Sequence, residues 1–439
     1  MTLVNKDLKT QLVEDFKASF AALNGKANSP INQLRSEAMS QFEKLGFPTI
    51  RHEEWKYSNV ANLVKNSFDF HVQTDFRQAD LDTLTIPHLT GNILYFINGV
   101  YDANLSVIKS PNEKLKVLTL AQAQQEIPEL LEKHLGKYAD FQDNAFTALN
   151  TALANDGVVV HIADNMTLEE PVILRFISDV RQQNVGAQVR NLVIVGKNAE
   201  VKIAEAYRTI GESASFVNTV TEFVLSEDAR ADYYKIQNES DKTYHIGTTQ
   251  VYQKDRSYFY AATVTVNGGF VRNNLNLALD GQYCDSHMYG LYIPNGKQHV
   301  DNHTLVDHRK PNSQSNELYK GILMDKSTGV FNGKIFVQPD AQKTNAYQNC
   351  RNVVISDEAT MNTKPQLEIW ADDVKCSHGT TTGKLNDEAI FYMQSRGIPK
   401  KEAMRLQMLA FAEDVVSQIK IDAIREYLEE LIREKLGAN

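Results

Sequence analysis

A repeated corner is the feature that most constrains the fold of this chain. Between positions 157 and 374, short apolar strands rich in Val, Ile, Thr, Tyr and Phe end repeatedly at an Asp or Asn. The corners recur at nearly even steps after a weak first member: Asn198, Asp228, Asp255, Asp280, Asp307, Asn332 and Asp357. A period in the twenties without helices is typical of stacked strands, because one turn cannot bury its own apolar face. Asp and Asn suit the corners because they tolerate left-handed backbone.

The repeat predicts a mainly β protein built on a right-handed parallel β-helix. An antiparallel sandwich would also give many short strands, but its typical repeat is about 8–12 residues. We expect an N-terminal helical region at 1–90, a β-helix core at 91–374 with a helical insertion at about 119–155, and a C-terminal helical domain at 375–439. Helices at both chain ends are expected to cap the open strand edges of the coil.

Composition narrows the class of protein. The chain has 439 residues and a net charge of −9 without a long basic run, which argues against nucleic acid as the main partner. No stretch approaches the roughly 18–20 apolar residues needed to span a bilayer, and the N-terminus lacks the apolar core of a signal peptide. The three cysteines are too few for a disulfide framework, so we expect a reducing, cytoplasmic setting.

A thiol and an imidazole lie close together near the end of the repeat, in Cys376-Ser377-His378. In an extended strand this spacing places Cys376 and His378 on one face, roughly 6.5–7 Å apart. Downstream, Asn386 is a helix cap and Gly397 suits a left-handed helix end. The sequence therefore predicts a strand-to-helix junction here, with helix after Ser377, that carries two candidate metal ligands. The alternative is a buried, inert thiol beside a hydrogen-bonded histidine.

The C-terminal region carries an apolar stripe at helical spacing. Pro399 can begin a helix, and the stripe follows at Met404, Met408, Phe411 and Val415. Such a stripe either packs on the chain's own body or docks a partner, and Met suits adaptable docking surfaces. The pattern leaves both interpretations open.

Other candidate chemistry is weaker. A polysaccharide lyase or hydrolase needs carboxylates on one strand face, whereas the adjacent Asp372 and Asp373 point to opposite faces. His299, Asp301 and His303 would share a strand face and could bind zinc or iron, but polar ladders between stacked turns explain them as well. The chain has no Gly-x4-Gly-Lys-Ser/Thr loop, so we expect no ATP hydrolysis. We expect that the chain is not an enzyme.

Several longer motifs resemble one family. They are G-F-P-T-I-R-H-E-E-W-K-Y at 46–57, G-V-F-N-G-K-I at 329–335, A-Q-K-T-N-A at 341–346, T-K-P-Q-L-E-I at 363–369, D-D-V-K-C-S-H-G at 372–379 and S-R-G-I at 395–398. In wording and order they resemble the SufD family, a scaffold subunit of the SUF iron–sulfur cluster assembly machinery. A paralogous SufB-type subunit would be expected to carry Glu after the histidine, where this chain has Gly379.

The resemblance implies a β-helix, a heterodimer with a SufB-type paralogue, and docking of a SufC-type ABC ATPase by the C-terminal helices. It implies that Cys376 and His378 face the SufB-type partner, where a transient iron or iron–sulfur cluster forms, and that the isolated chain holds no tightly bound cofactor. Thiolate and imidazole are competent iron ligands, but one chain offers too few of them to hold a cluster alone. Pairing of the isolated chain with itself, and a purely structural adaptor without cluster chemistry, stay open.

Overall fold

Two long parallel sheets, wound alternately by one chain, form the body of the protein. The computed structural model describes residues 7–21, 29–72, 75–153 and 156–437. The chain is mainly β, with a solenoid of about eight turns and helices toward both termini. The fold class predicted from the repeat, a parallel coil of strands with helical regions at the chain ends, is confirmed.

Sheet I contains ten strands, which run from one end of the solenoid to the other in this order: β2 (Val100–Val107), β1 (Asn92–Ile97), β5 (Val172–Asp179), β7 (Glu200–Ile210), β9 (Arg230–Asn238), β11 (Tyr258–Asn267), β13 (Asp285–Tyr292), β15 (Gln314–Leu323), β17 (Thr344–Val354) and β19 (Val374–Gly383). Its strands are parallel except for β2, which is antiparallel to β1.

Sheet II contains nine strands in the order β3 (Leu115–Thr119), β4 (Val158–Ile162), β6 (Val185–Val195), β8 (Ser215–Leu225), β10 (Thr243–Gln253), β12 (Phe270–Leu279), β14 (His299–His308), β16 (Thr328–Val337) and β18 (Thr360–Ile369). Its strands are parallel except for β3, which is antiparallel to β4. Both sheets therefore begin with an antiparallel strand and end with a parallel one.

Helices precede, interrupt and follow the solenoid. They are α1 (Leu8–Ala21), α2 (Pro30–Leu45), α3 (Ala61–Val64), α4 (Gln78–Asp82), α5 (Leu120–Glu126), α6 (Pro128–His134), α7 (Ala145–Leu153), α8 (Asp387–Ser395), α9 (Lys400–Val416) and α10 (Asp422–Gly437), with a short 3-10 helix at Glu53–Trp55. Among the described residues, no helix is both long enough and apolar enough to cross a membrane.

The left-handed corners agree with the sequence prediction in the first turns. Asn198 and Asp228 adopt φ values of +53° and +62°. Asp255 lies in a turn, as predicted, but the residue with left-handed backbone there is the next one, Arg256. Asp357 lies in the turn between β17 and β18. Short polar side chains thus end strands where the backbone must reverse direction.

One predicted corner is wrong, because Asn332 lies in the middle of β16, whereas Asp307 is the second-last residue of β14 and so lies next to its corner. The stacking distance along the chain is longer and less regular than the sequence suggested. Tyr244 pairs with Phe270, whereas Val159 pairs with Leu192, which is a distinctly longer step. A constant repeat length therefore does not predict the position of every turn.

The space between the two sheets, here called the lumen, is filled by the inward side chains of both. Phe223 of sheet II and Tyr233 of sheet I are fully buried there, with ring centroids 5.0 Å apart. A second apolar layer lies on the outer face of each sheet. Phe216 of sheet II packs under the N-terminal helices, and Tyr234 of sheet I packs under the C-terminal helices.

The prediction that terminal helices cap the open coil ends is wrong for the C-terminal helices. Helix α9 contacts β13 and β15, and α10 contacts β11, so both lie along the outer face of sheet I. The outward apolar side chains of those strands provide a broad surface that the helices bury. The last turn, β18 and β19, is left without a helical layer from α9 or α10.

Candidate metal site at the open end of the solenoid

Cys376 and His378 lie within β19, the outermost strand of sheet I. The predicted helix after Ser377 is wrong, because the strand continues to Gly383 and α8 begins only at Asp387. The β-branched Thr380, Thr381 and Thr382 favour strand over helix. The strand region therefore extends well past the predicted boundary at position 375.

The predicted geometry of the pair is confirmed by the strand. Cys376 pairs in register with Ala346 of β17, and His378 pairs with Gln348. Alternation places both side chains on the lumen side of β19. Cys376 is half-buried beside Ala346, and this burial raises the pKa of its thiol, whereas His378 is exposed.

The last turn exposes backbone and apolar side chains together. Strands β18 and β19 each end a sheet, so within the described part of the chain one edge of each has no strand partner. Nearly the whole of β19 is exposed, and Trp370, which follows β18, is 51% exposed. An unpaired strand edge with exposed apolar side chains is a template for pairing with another chain.

The predicted docking stripe on α9 is largely buried in the chain's own core. Met408 and Val415 pack against sheet I and are 6% and 0% exposed, so these two side chains do not form an outer surface. Phe411 is partly buried, with the ammonium group of Lys320 3.9 Å from its ring centroid. Met404 is partly exposed. The structural alternative, packing on the body, accounts for most of the stripe.

The exposed apolar residues of this region lie mainly on α8. Phe391 is 73% exposed and Tyr392 is 59% exposed. Asn386 caps α8 as predicted, since its side-chain oxygen accepts a hydrogen bond from the Ala389 amide at 3.0 Å. Gly397 follows the helix with a φ of +88°, also as predicted.

The histidine-rich run on β14 fastens the N-terminal segment to sheet II. The Ser58 hydroxyl lies 2.5 Å from a carboxylate oxygen of Asp301 and 2.8 Å from Nε2 of His299. Arg272 also bonds Asp301, at 2.9 Å, and lies 3.9 Å from the Trp55 ring centroid. Burial raises the pKa of Asp301, but the His303 and Arg272 charges outweigh it and hold that pKa well below the usual range.

These contacts favour the polar ladder over the metal site that the sequence left open. Nε2 of His303 lies 3.0 Å from a carboxylate oxygen of Asp301, and Nδ1 of His303 lies 3.5 Å from a carboxylate oxygen of Glu54. Within residues 7–21, 29–72, 75–153 and 156–437, no group of three or more His, Cys, Asp or Glu is arranged to hold a metal ion. Trp55 anchors the N-terminal segment through its contacts with Arg272 and Phe146.

Sequence reasoning missed two polar residues that lie beneath His378. Gln348 of β17 and Glu317 of β15 are buried in the lumen, and the Gln348 amide donates a hydrogen bond to the Glu317 carboxylate at 2.8 Å. Burial raises the pKa of Glu317 to about 7. Their relation to His378 appears only when successive turns are stacked in register.

The architecture defines a class of protein: a two-sheet solenoid with helical layers on its outer faces and an open final turn. Comparison with known proteins identifies the family. Residues 176–411 match the SUF system FeS cluster assembly, SufBD core domain, and residues 6–174 match the SufBD protein N-terminal region. The chain belongs to the SufBD family of the SUF iron–sulfur cluster assembly system.

Curated relatives cover almost the whole chain. An iron–sulfur cluster assembly SufBD family protein of Synechocystis sp. is 30% identical over 440 residues, which span 98% of this chain and 97% of that protein. The iron–sulfur cluster assembly protein SufD of Escherichia coli is 26% identical, over 91% of both chains. SufD of Bacillus subtilis is also 26% identical, over 92% of this chain and 94% of that protein. The SufD resemblance predicted from the motifs is confirmed.

Proposed function

We propose that this chain is a scaffold subunit, rather than an enzyme, of a SufBCD-type complex that assembles iron–sulfur clusters in the cytoplasm. The observation that carries the proposal is the position of His378 and Cys376, side by side on the lumen face of an unpaired edge strand. The cluster is cargo that forms and leaves, so the isolated chain has no tightly bound cofactor.

The ligand count favours a site shared between two chains. Iron–sulfur clusters are commonly held by four protein ligands, and β19 supplies at most a thiolate and an imidazole. We infer that a SufB-type paralogue supplies the others and pairs with the exposed edge of the last turn. In that heterodimer His378 takes part in iron acquisition and cluster formation. When the paralogue is absent, the same edge is available to a second copy of this chain.

Substituting His378 tests the proposal most directly. We expect His378→Ala to abolish maturation of an iron–sulfur enzyme in cells while the complex is recovered intact, because an exposed side chain contributes little to folding. Cys376→Ala should reduce maturation less if Cys376 mainly packs on Ala346. Ser377→Ala, which alters the intervening exposed residue, is the matched control. Full maturation with His378→Ala would refute the proposed site.

We propose that α8 and the exposed part of α9 dock a SufC-type ABC ATPase. Phe391 and Tyr392 project apolar rings into solvent, and Leu406 of α9 is 38% exposed. Docking would bury these rings without disturbing the layer of α9 that covers sheet I. Large exposed aromatic side chains are frequent anchors of protein interfaces.

The docking face is tested by a pull-down with the ATPase. We expect the double variant Phe391→Ala and Tyr392→Ala to lose binding, with an unchanged unfolding midpoint. Ile50→Ala removes a comparably exposed apolar side chain from the N-terminal region and should bind normally. Undiminished binding by the double variant would eliminate α8 as the docking face.

A structural adaptor without cluster chemistry is the second candidate function. The half-buried environment of Cys376 favours it, because burial raises the pKa of the thiol and disfavours the thiolate that binds iron. Reconstitution of the purified complex with ferrous iron and sulfide separates the two candidates. A cluster lost on substitution of His378 supports the scaffold, and a complex that never forms a cluster supports the adaptor.

A further inference from the structure

The proposed iron ligand stands at the end of a column of polar side chains. His378 of β19, Gln348 of β17 and Glu317 of β15 occupy one register position in three successive strands of sheet I. Neighbouring strands lie about 4.8 Å apart, and side chains at the same register position project to the same side. The imidazole of His378 is therefore adjacent to the Gln348 amide, which in turn contacts Glu317.

The Gln348 amide is bonded on one side only. Its Nε2 donates to Oε2 of Glu317 at 2.8 Å, and the side chain is 1% exposed. Its Oε1 is buried and has no hydrogen-bond partner among the described residues. Leaving a buried acceptor unpaired has a free-energy cost, because the oxygen loses the hydrogen bonds that it makes to water in the unfolded chain. A donor on the next turn of the column would remove this cost, and the His378 ring carries an N–H.

The facing sheet makes room for this amide. Gly333 of β16 lies opposite, and a Cβ atom at that position would lie 2.2 Å from Nε2 of Gln348 and 2.7 Å from its Cδ. Such distances are well inside van der Waals contact, so any larger residue would displace the amide. The absence of a side chain at Gly333 thus fixes where the Gln348 amide lies.

We propose that Gln348 is a positioning residue that accepts a hydrogen bond from the ring N–H of His378. The bond would fix the tautomer of the imidazole and turn its other nitrogen toward the iron. Histidine ligands commonly donate their second ring N–H to an oxygen acceptor in this way. The hydrogen bond that the NH2 group of Gln348 donates to Glu317 holds the amide in orientation and leaves its oxygen free to accept.

This inference rests on the proposed function of His378, but its first test needs no metal. In the metal-free chain, NMR of 15N-labelled histidine rings should show a ring N–H of His378 protected from exchange with water, assigned by its absence in His378→Ala. Gln348→Met keeps the size of the side chain and removes the acceptor. We expect the protected signal to disappear in Gln348→Met and to persist in Asn349→Ala, which removes a neighbouring exposed amide.

The second test measures ferrous iron bound by the purified complex. Outer partners of metal ligands typically contribute 10–100-fold in affinity, so Gln348→Met should weaken iron binding within that range. Gly333→Ala, which displaces the amide from the facing sheet, should act in the same direction even if Gln348→Met fails to fold. An unchanged ring signal and unchanged iron affinity in the folded variants would overturn the inference. The protected signal without any effect of His378→Ala on iron would instead contradict the proposed function.

Discussion

The middle turns and the last turn of the solenoid have the same backbone arrangement and opposite surroundings. Every residue of β8 is buried, under the N-terminal helices on one side and against the lumen on the other. Nearly every residue of β19 is exposed. Both strands pair in parallel register with a neighbouring strand. The difference shows that strand pairing continues to the end of the column, whereas burial does not.

One polar group from each region illustrates a further difference. In the middle turns the Glu205 carboxylate accepts hydrogen bonds from the hydroxyls of Tyr207, Tyr233 and Thr221 at 2.6–2.8 Å. Near the last turn the oxygen Oε1 of Gln348 has no partner in the described residues. The Glu205 carboxylate is therefore satisfied by its own neighbours, whereas the Gln348 oxygen can accept a bond from a ligand or a partner chain. The following predictions test this division, in order of decreasing effect.

The largest loss of stability is expected from Glu222→Ala in β8. The Glu222 carboxylate pairs with the buried guanidinium of Arg190 at 2.8 Å and accepts bonds from the amides of Gly136, Tyr138 and Ala139. Removing one partner of a buried ion pair costs about 3–5 kcal/mol, because the other charge stays buried. Urea denaturation of the variant checks this. A loss below about 1 kcal/mol, the size of an ordinary substitution, would contradict the importance of the middle turns.

A matched pair of aromatic substitutions compares the two regions directly. Phe223→Ala empties part of the lumen in a middle turn and should cost about 3–5 kcal/mol. Trp370→Ala removes a larger ring beside the last turn and should change the free energy of unfolding by about 0.5 kcal/mol or less. The same denaturation experiment measures both. Equal costs would show that the last turn is as tightly packed as the middle.

Glu317 should make stability depend on pH. Burial raises its pKa from 4.5 to about 7, so the folded chain binds this proton more tightly than the unfolded chain does. Unfolding therefore releases a proton between these values, and the stabilisation conferred by the protonated carboxyl, about 3 kcal/mol, is lost as pH rises from 4.5 to 7.

Glu317→Gln isolates this contribution, since the amide does not titrate in that range. The stability difference, wild type minus variant, should be more favourable to the wild type at pH 5 than at pH 7.5 by about 2 kcal/mol. Denaturation of both proteins at the two pH values provides the measurement. A difference that is independent of pH would mean that this carboxyl titrates normally.

The smallest effect is expected for an ion pair of the last turn. Lys384 lies 3.6 Å from Asp357, and both side chains are largely exposed. Exposed pairs contribute little because water and salt screen them, so Lys384→Ala should cost about 0.5 kcal/mol or less. An effect comparable to that of Glu222→Ala would remove the contrast between the regions.

The sequence predicted that strands repeat and which residue types form corners, but it did not predict the position of every corner. Asn198 and Asp228 were predictable corners because a left-handed backbone favours these residue types directly. Asp307 and Asn332 look the same in sequence but lie within strands, where their side chains bond neighbours: Asp307 accepts from Gln338 at 2.9 Å. Local sequence does not distinguish an Asp that bonds its own corner from one that bonds the next turn.

Only the part of the site that lies within a single strand could be predicted from the sequence. The spacing of Cys376 and His378 fixed their common face, since alternation is a local property. The support from Gln348 and Glu317 depends on which residues of different turns come into register, and the length of a turn varies along the solenoid. Similarly, the burial of Met408 depends on which face of α9 meets sheet I. The register between turns and the buried face of α9 both depend on tertiary packing, which local sequence does not reveal.

The open final turn should also be the place where local unfolding of the solenoid begins. Each inner strand of a sheet pairs with a strand on either side. An inner turn can therefore unfold only after the turn next to it has unfolded. The turn formed by β18 and β19 is held from one side, and its amides should exchange with water first, well before those of β8 and β10. A partner bound to that edge would prevent the last turn from unfolding first. Amide hydrogen exchange in the neighbouring strands would then slow as well. Hydrogen exchange along the column could thus record how long each partner stays.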